Sequence, residues 1–116
     1  MPKDCIFCMI RDGVIPSEKL YSDKDCFVIR DINPLAPTHL LVIPNRCFSQ
    51  LSELEDEPDA MFASVFAAAR KMVEQEGIAE SGYRLIVNQG SDGGQEVAHF
   101  HMHVLGGKSL RGLGLG

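Results

Sequence analysis

The sequence predicts an α+β fold: an antiparallel sheet of about five strands with one long helix, in a single domain over residues 1–116. Three observations predict it. Short apolar runs recur between clusters of Asp, Asn, Pro and Gly, the pattern of strands joined by turns. One stretch, about Pro58 to Glu76, instead spaces its apolar residues for a helix. The chain of 116 residues suffices for one core and not comfortably for two.

Cys5 to Arg11 reads as one or two helical turns, with Asp4 as candidate N-cap and Gly13 as the stop. Glu18 to Ser22 and Cys26 to Asp31 read as strands across the polar turn Ser22-Asp23-Lys24-Asp25. Asn33 to Pro37 is a loop, because each proline also restricts the residue before it. His39 to Ile43 is a strongly apolar run ended by Pro44, expected as a strand buried on both faces. Ser52-Glu53-Leu54-Glu55 has the spacing of a capping box. In the long helix, Met61, Phe62, Val65, Phe66, Ala69, Met72 and Val73 form one stripe; Pro58 suits the first turn and Gly77 the C-terminal cap. Tyr83 to Asn88 is a fourth strand, Gln89 to Gln95 a Gly-rich loop, and Val97 to Leu105 a fifth strand ended by Gly106-Gly107. The Gly/Leu tail from Leu110 to Gly116 is either loose or laid against a partner subunit. With the helix on one sheet face, the other is left for a ligand.

Net charge is -5, and no basic run occurs, which argues against a nucleic acid duplex as partner. A small anion remains allowed, held by backbone N–H groups and histidine. No apolar stretch approaches the roughly 20 residues of a membrane span, and the N-terminus lacks a signal-peptide pattern. The expectation is a cytoplasmic protein with no membrane partner, its four cysteines (Cys5, Cys8, Cys26, Cys47) reduced.

The chemistry concentrates in His99-Phe100-His101-Met102-His103-Val104-Leu105. In a strand, alternate residues share a face, so three imidazoles form a row and Phe100, Met102 and Val104 an apolar face under the helix. Three of the chain's four histidines fall within five residues, which disfavours a row of merely solvated side chains. A three-histidine metal site and a phosphate-handling site with a nucleophilic or acid–base histidine both fit. The preceding segment, Asn88 to Gln95, favours the second. Its three glycines let backbone N–H groups approach an anion.

This segment resembles the signature of the histidine triad family, His-x-His-x-His followed by apolar positions. The likeness extends through Cys5-Ile6-Phe7-Cys8, Ile15-Pro16, Arg30-Asp31-Ile32-Asn33-Pro34, Ala36-Pro37-Thr38-His39, Val42-Ile43-Pro44 and Gly93-Gly94-Gln95. The stretch from Gly82-Tyr83-Arg84 to Gly106-Gly107 looks like the nucleoside phosphoramidase branch. The resemblance implies a homodimer with the two sheets joined, and a site for a purine nucleoside monophosphate or its phosphoramidate. It implies attack of the middle histidine, His101, on the α-phosphorus, then hydrolysis of the nucleotidyl-histidine. His103 would contact phosphate, and His39 would support the phosphate or the triad. Asp31 would accept the ribose hydroxyls; Ile32, Phe7 and Ile10 would line the base pocket. Asn88 would contact phosphate or leaving group, Gly94 would belong to the phosphate cradle, and Gln95 would order the loop. Glu96 departs from the pattern, since many members carry a hydroxyl residue there. A carboxylate repels phosphate, so Glu96 either turns away or handles an amine leaving group. The tail also differs from the aromatic tail of some members.

Cys5-x2-Cys8 has zinc-ligand spacing but is half a site. By resemblance, Cys47 and His99 would complete a structural zinc site; the alternative is three reduced thiols. His99 is then a metal ligand or a support for the catalytic histidines, and the reaction itself requires no cofactor. Two other functions compete: dinucleoside polyphosphate hydrolysis, and nucleotide binding by a non-enzymatic regulatory module.

Overall fold

The computed structural model describes residues 5–114. Five antiparallel strands form one sheet in the order β1-β2-β3-β5-β4. They are β1 (Tyr21–Ser22), β2 (Cys26–Arg30), β3 (Thr38–Pro44), β4 (Tyr83–Ile86) and β5 (Met102–Gly106), with helices α1 (Ile6–Arg11) and α2 (Asp59–Gln75). The α+β expectation is borne out. Among the described residues no helix is long and apolar enough to cross a membrane.

Strand β3 organises the fold because every one of its residues is buried. Leu40 and Val42 face α2, where they join Val28, Met102, Val104, Val65, Met72 and Val73. Leu41 and Ile43 face the other way and pack with Phe27, Ile29 and the α1 residues Phe7, Cys8 and Ile10. The two-faced burial read from the apolar run is therefore present, with α2 on one side and α1 on part of the other.

Helix α2 buries Met61, Val65, Ala68, Ala69, Met72 and Val73, at spacings of three and four. Phe66 was expected on this stripe but is 54% exposed, since it lies at the stripe's edge. Pro58 is the N-cap position rather than the first helical residue. At the other end Gly77 takes φ 73°, Ile78 N–H bonds Val73 O, and Gly77 N–H bonds Glu74 O. That is the Schellman pattern, and it carries Ile78 back into the core.

Several boundaries differ from expectation. The first strand shrinks to two residues, because Glu18 and Lys19 are exposed and bury no face. Its polar turn forms as expected, with Asp23 Oδ1 accepting from Asp25 and Cys26 N–H. The capping box is two residues earlier than Ser52–Glu55: it joins Gln50 to Glu53 and opens a short 3-10 turn (Leu51–Glu53). The fourth strand ends at Ile86 rather than Asn88. Asp4 lies outside the described residues; Cys5 occupies the N-cap of α1, its Sγ accepting from Cys8 N–H.

The main correction concerns the fifth strand, which begins at Met102 and not at Val97. Ahead of Met102 the chain leaves the ladder: Phe100 N–H bonds Phe48 O, and His99 turns into the protein to bond Pro44 O. Alternation nevertheless persists. Phe100 packs on the α2 side against Phe48, Met61 and Phe62, stacked 5.1 Å from the Phe48 ring.

Candidate active site

Three rings, His39, His101 and His103, meet on the sheet face opposite α2, and hydrogen bonds fix the tautomer of each. His101 Nδ1 lies 2.8 Å from His99 O. A carbonyl oxygen only accepts, so Nδ1 carries the proton and the neutral ring keeps a lone pair on Nε2. His39 Nδ1 accepts from Leu35 N–H at 3.1 Å, so its proton sits on Nε2. That Nε2–H points to His103 Nδ1 at 2.9 Å, with Asp31 Oδ2 at 3.4 Å. His103 must then carry its own proton on Nε2. The pair of rings therefore offers a nucleophilic lone pair on His101 beside an N–H donor on His103, their centroids 5.0 Å apart.

Burial keeps His39 and His103 neutral. Desolvation first, then the neighbouring His101 and His39, push His103 down from 6.5 to about 4, against the opposing pull of Asp31. Burial likewise lowers His39, again opposed by Asp31. Both groups are below their unfolded values, so the unfolded chain binds more protons between pH 6.5 and about 4. Their contribution to stability is complete above pH 6.5 and is lost as pH falls through that window. Urea midpoints should therefore decline from about pH 7 to about pH 5, before carboxylates titrate, and His103→Gln should flatten the decline. An identical slope in the variant would contradict this origin.

Asp31, His39 and His103 also place three ligand-type atoms within 4.8 Å of one another. The tautomers make this group a hydrogen-bond relay rather than a metal centre. His39 Nε2 is a donor, and turning it into a ligand would set Nδ1–H against Leu35 N–H.

These rings open into a cleft of about 550 Å³. It is lined by His39, His101, His103, Asp31, Ile32, Asn88, Gly94, Glu96, Phe7 and Ile10, ten of the residues singled out in the sequence. Phe7 and Ile10 are buried wall residues from α1, while Ile32 stands 88% exposed at the rim. Asp31 Oδ1 accepts Asn33 N–H, which fixes the carboxylate in the cleft wall with Oδ2 beside His39. Gln95 and His99 do not line it. Gln95 works behind the glycine loop: its Oε1 accepts Gly90 N–H, and its Nε2 donates to Ser49 O and Val97 O. The lining also includes Leu41, Ile29 and Leu35, which sequence reading assigned to core or loop. A larger depression of about 970 Å³ lies beyond the β4 end of the sheet, but neither histidine nor cysteine lines it.

The glycine loop is tight. Gly94 takes φ 78°, and Asn88 Nδ2 donates to Gly93 O at 2.7 Å. A Cβ on Gly93 would sit 2.3 Å from Gln89 O, a clash with backbone. Gly93→Ala is expected to displace the loop and cut kcat/KM about 100-fold while the fold persists. Steady-state kinetics with circular dichroism would check this; unchanged kcat/KM would remove the loop from the site.

His99 is fully buried and faces the thiols instead. Its Nε2 donates to Pro44 O at 2.8 Å, freeing Nδ1, which lies 3.2 Å from Cys5 Sγ and 3.6 Å from Cys8 Sγ. Cys47 Sγ is 3.9 Å from Cys5 Sγ. All four ligand atoms fall within 4.8 Å of one another, a candidate Cys/His metal-binding cluster. Tetrahedral zinc with Zn–S of about 2.3 Å and Zn–N of about 2.0 Å spaces its ligands by roughly 3.5–3.8 Å, so the set fits. The histidine even shows the backbone hydrogen bond that orients metal-bound imidazole. Burial and the adjacent Cys5 and Cys47 push the Cys8 thiol up to about 12, so thiolates gather here only with a cation among them. Cys26, apart from the cluster, is a buried core thiol also pushed up to about 12, first by burial.

An antiparallel sheet bearing a lone-pair imidazole, an N–H-donating imidazole and a glycine loop on one face defines a phosphate-handling protein of the histidine-centred kind. Comparison with known proteins places it further. The HIT domain model matches residues 12–110. The purine nucleoside phosphoramidase of Escherichia coli (strain K12) is 46% identical over 110 residues, covering 95% of this chain and 92% of that protein. A HIT family hydrolase from Clostridium thermocellum superposes with a TM-score of 0.90 at 40% identity, covering 95% of this chain and 96% of the other. A histidine triad protein from Clostridium difficile gives 0.89 at 41% identity, with the same coverage. The chain belongs to the HIT domain family.

Proposed function

We propose that the protein is a purine nucleoside phosphoramidase, hydrolysing the P–N bond of a nucleoside 5′-phosphoramidate through a nucleotidyl intermediate on His101. The observation that carries this reading is the 2.8 Å contact between His101 Nδ1 and His99 O, which leaves Nε2 free to attack. The activity carried by the E. coli relative supports it. In the first step His101 Nε2 bonds to phosphorus and the P–N bond breaks. Its electron pair goes to nitrogen, which leaves as the amine with a proton from solvent. In the second step water displaces the imidazole and releases the nucleoside monophosphate. His103 Nε2–H, Gly94 and the loop amides stabilise the phosphate oxygens as charge develops. Asp31 receives the ribose hydroxyls, and Phe7, Ile10 and Ile32 flank the base. Asn88 holds the loop by its amide and keeps its oxygen for the substrate.

Dinucleoside polyphosphates are a poorer match. Among the described lining residues the one Lys or Arg is Arg30, and its guanidinium is bonded twice to Glu76, at 2.8 and 2.9 Å. Additional phosphates would find no free cation. The test is kcat/KM for adenosine 5′-phosphoramidate against a diadenosine polyphosphate: a ratio of at least about 100 is expected. A faster polyphosphate reaction would favour that alternative, and binding of adenosine monophosphate without turnover of either would favour the regulatory module.

Two further features complete this reading. Cys5, Cys8, Cys47 and His99 would hold zinc, and because all four are protein ligands the ion would act as a crosslink between α1, the segment after β3 and the approach to β5. A second copy would join at β4. This strand is a sheet edge, and the register sets Leu85 opposite Val104, hence on the α2 side. Tyr83, Leu85 and Val87 are 41%, 38% and 39% exposed there, and Phe66 of α2 is exposed too. Sedimentation should show a dimer for the wild type and a monomer for Leu85→Lys; a wild-type monomer would contradict it. A cytoplasmic location would suit four free thiols, and cell fractionation would test it.

A further inference from the structure

We infer that Glu96 selects the leaving group, and that the preferred substrates are phosphoramidates whose amine carries a second positive charge. This rests on the phosphoramidase reading above and names its substrate class.

The argument starts from direction. His101 is only 6% exposed, so it attacks from the floor of the cleft. In-line displacement puts the leaving group opposite the nucleophile, which here means toward the open mouth. Glu96 is exposed at that mouth and lines the same cleft as His101, His103, Asn88 and Gly94. Among the described residues no hydrogen bond or ion pair holds its carboxylate.

A free carboxylate beside a phosphate site is repulsive unless it meets a cation. Among the described residues the cleft supplies none, because Arg30 is committed to Glu76. The described residues therefore leave the partner of Glu96 to the substrate. An amine bearing a distal ammonium provides it; a leaving group bearing a carboxylate or phosphate meets repulsion. Glu96 takes no part in bond making: it accepts from the distal ammonium while the amine departs.

The test uses the full-length protein and three adenosine 5′-phosphoramidates, built on a neutral arylalkylamine, a diamine with a free ammonium, and an amino acid with a free carboxylate. Each is compared within one variant, so a general loss of folding or rate cancels from the ratios. For the wild type at low salt, kcat/KM should rise about fivefold per step from anionic to neutral to cationic, the scale of an exposed ion pair. High salt should narrow the range. Glu96→Gln should compress the ratios toward one, and Glu96→Lys should reverse their order. Wild-type turnover without a charge ranking, or the same ranking in Glu96→Gln, overturns the inference alone. Failure of the wild type to cleave any of the three overturns the phosphoramidase reading and the inference with it.

Discussion

His101→Ala is expected to lower kcat by about 10⁴-fold, or ~5.4 kcal/mol of barrier, with affinity for adenosine monophosphate within about threefold of wild type. The size follows from covalent catalysis. Without the imidazole, no side chain replaces the bond to phosphorus, and the two-step route closes. Binding should survive because the remaining contacts proposed for the nucleotide belong to Asp31, His103, the glycine loop and the α1 wall, all of which line the cleft. His103→Ala should be milder, removing one N–H donor at a cost of about 10²–10³ in kcat. Calorimetric titration with single-turnover kinetics would separate binding from rate. Loss of affinity with an unchanged rate in His101→Ala would mean that this ring binds and does not react.

Removing the metal site is expected to have the second-largest effect, and to reach both stability and rate. Cys47→Ala takes away one of the four ligands; Cys47→His should restore the site, since imidazole is an equally good ligand. At metal concentrations about 100 times the dissociation constant, binding adds about 2.7 kcal/mol to stability. Tm should therefore fall by about 10 °C in Cys47→Ala, or in wild type treated with a chelator. The effect on rate travels through His99. Its ring reaches the thiols, and its backbone oxygen holds the His101 proton. Helix α1 carries Cys5 at its cap and Cys8 within it, alongside the cleft residues Phe7 and Ile10. Loosening His99 misplaces the nucleophile, and kcat should drop about tenfold. Metal analysis showing no bound ion in wild type, or a chelator that leaves Tm unchanged, would contradict this account.

The sequence made some of this legible because local pattern and tertiary burial agree. The run from His39 to Ile43 has no polar face, so it could only be a central strand, and β3 is one. Apolar spacing and a terminal glycine located α2 within a residue or two. The cleft residues were found because the family motif names them in one dimension and the sheet gathers them in three.

The misses share one cause, which is that tertiary contacts override local pattern. Alternation from Val97 onward predicts a strand, yet His99 gains more by turning inward to Pro44 O and the thiols than by joining the ladder. The row of three equivalent imidazoles thus becomes two rings in the cleft and one in a metal-type cluster. The third cleft ring, His39, is set by Leu35 N–H, a backbone group in a proline loop that no side-chain pattern reveals. The relay from Leu35 through His39 to His103 arises only once the chain folds, because neither its direction nor its tautomers are written in residue types.

The central claim is that His101 Nε2 bonds to phosphorus. Protein mixed with adenosine 5′-phosphoramidate, quenched in acid-free denaturant within a turnover and analysed by peptide mass spectrometry, tests it most directly. The account predicts one adenylyl group on the peptide containing His101, with none in His101→Ala. An adduct on His103 or His39 instead, or full turnover with no adduct trapped at any time, would contradict it.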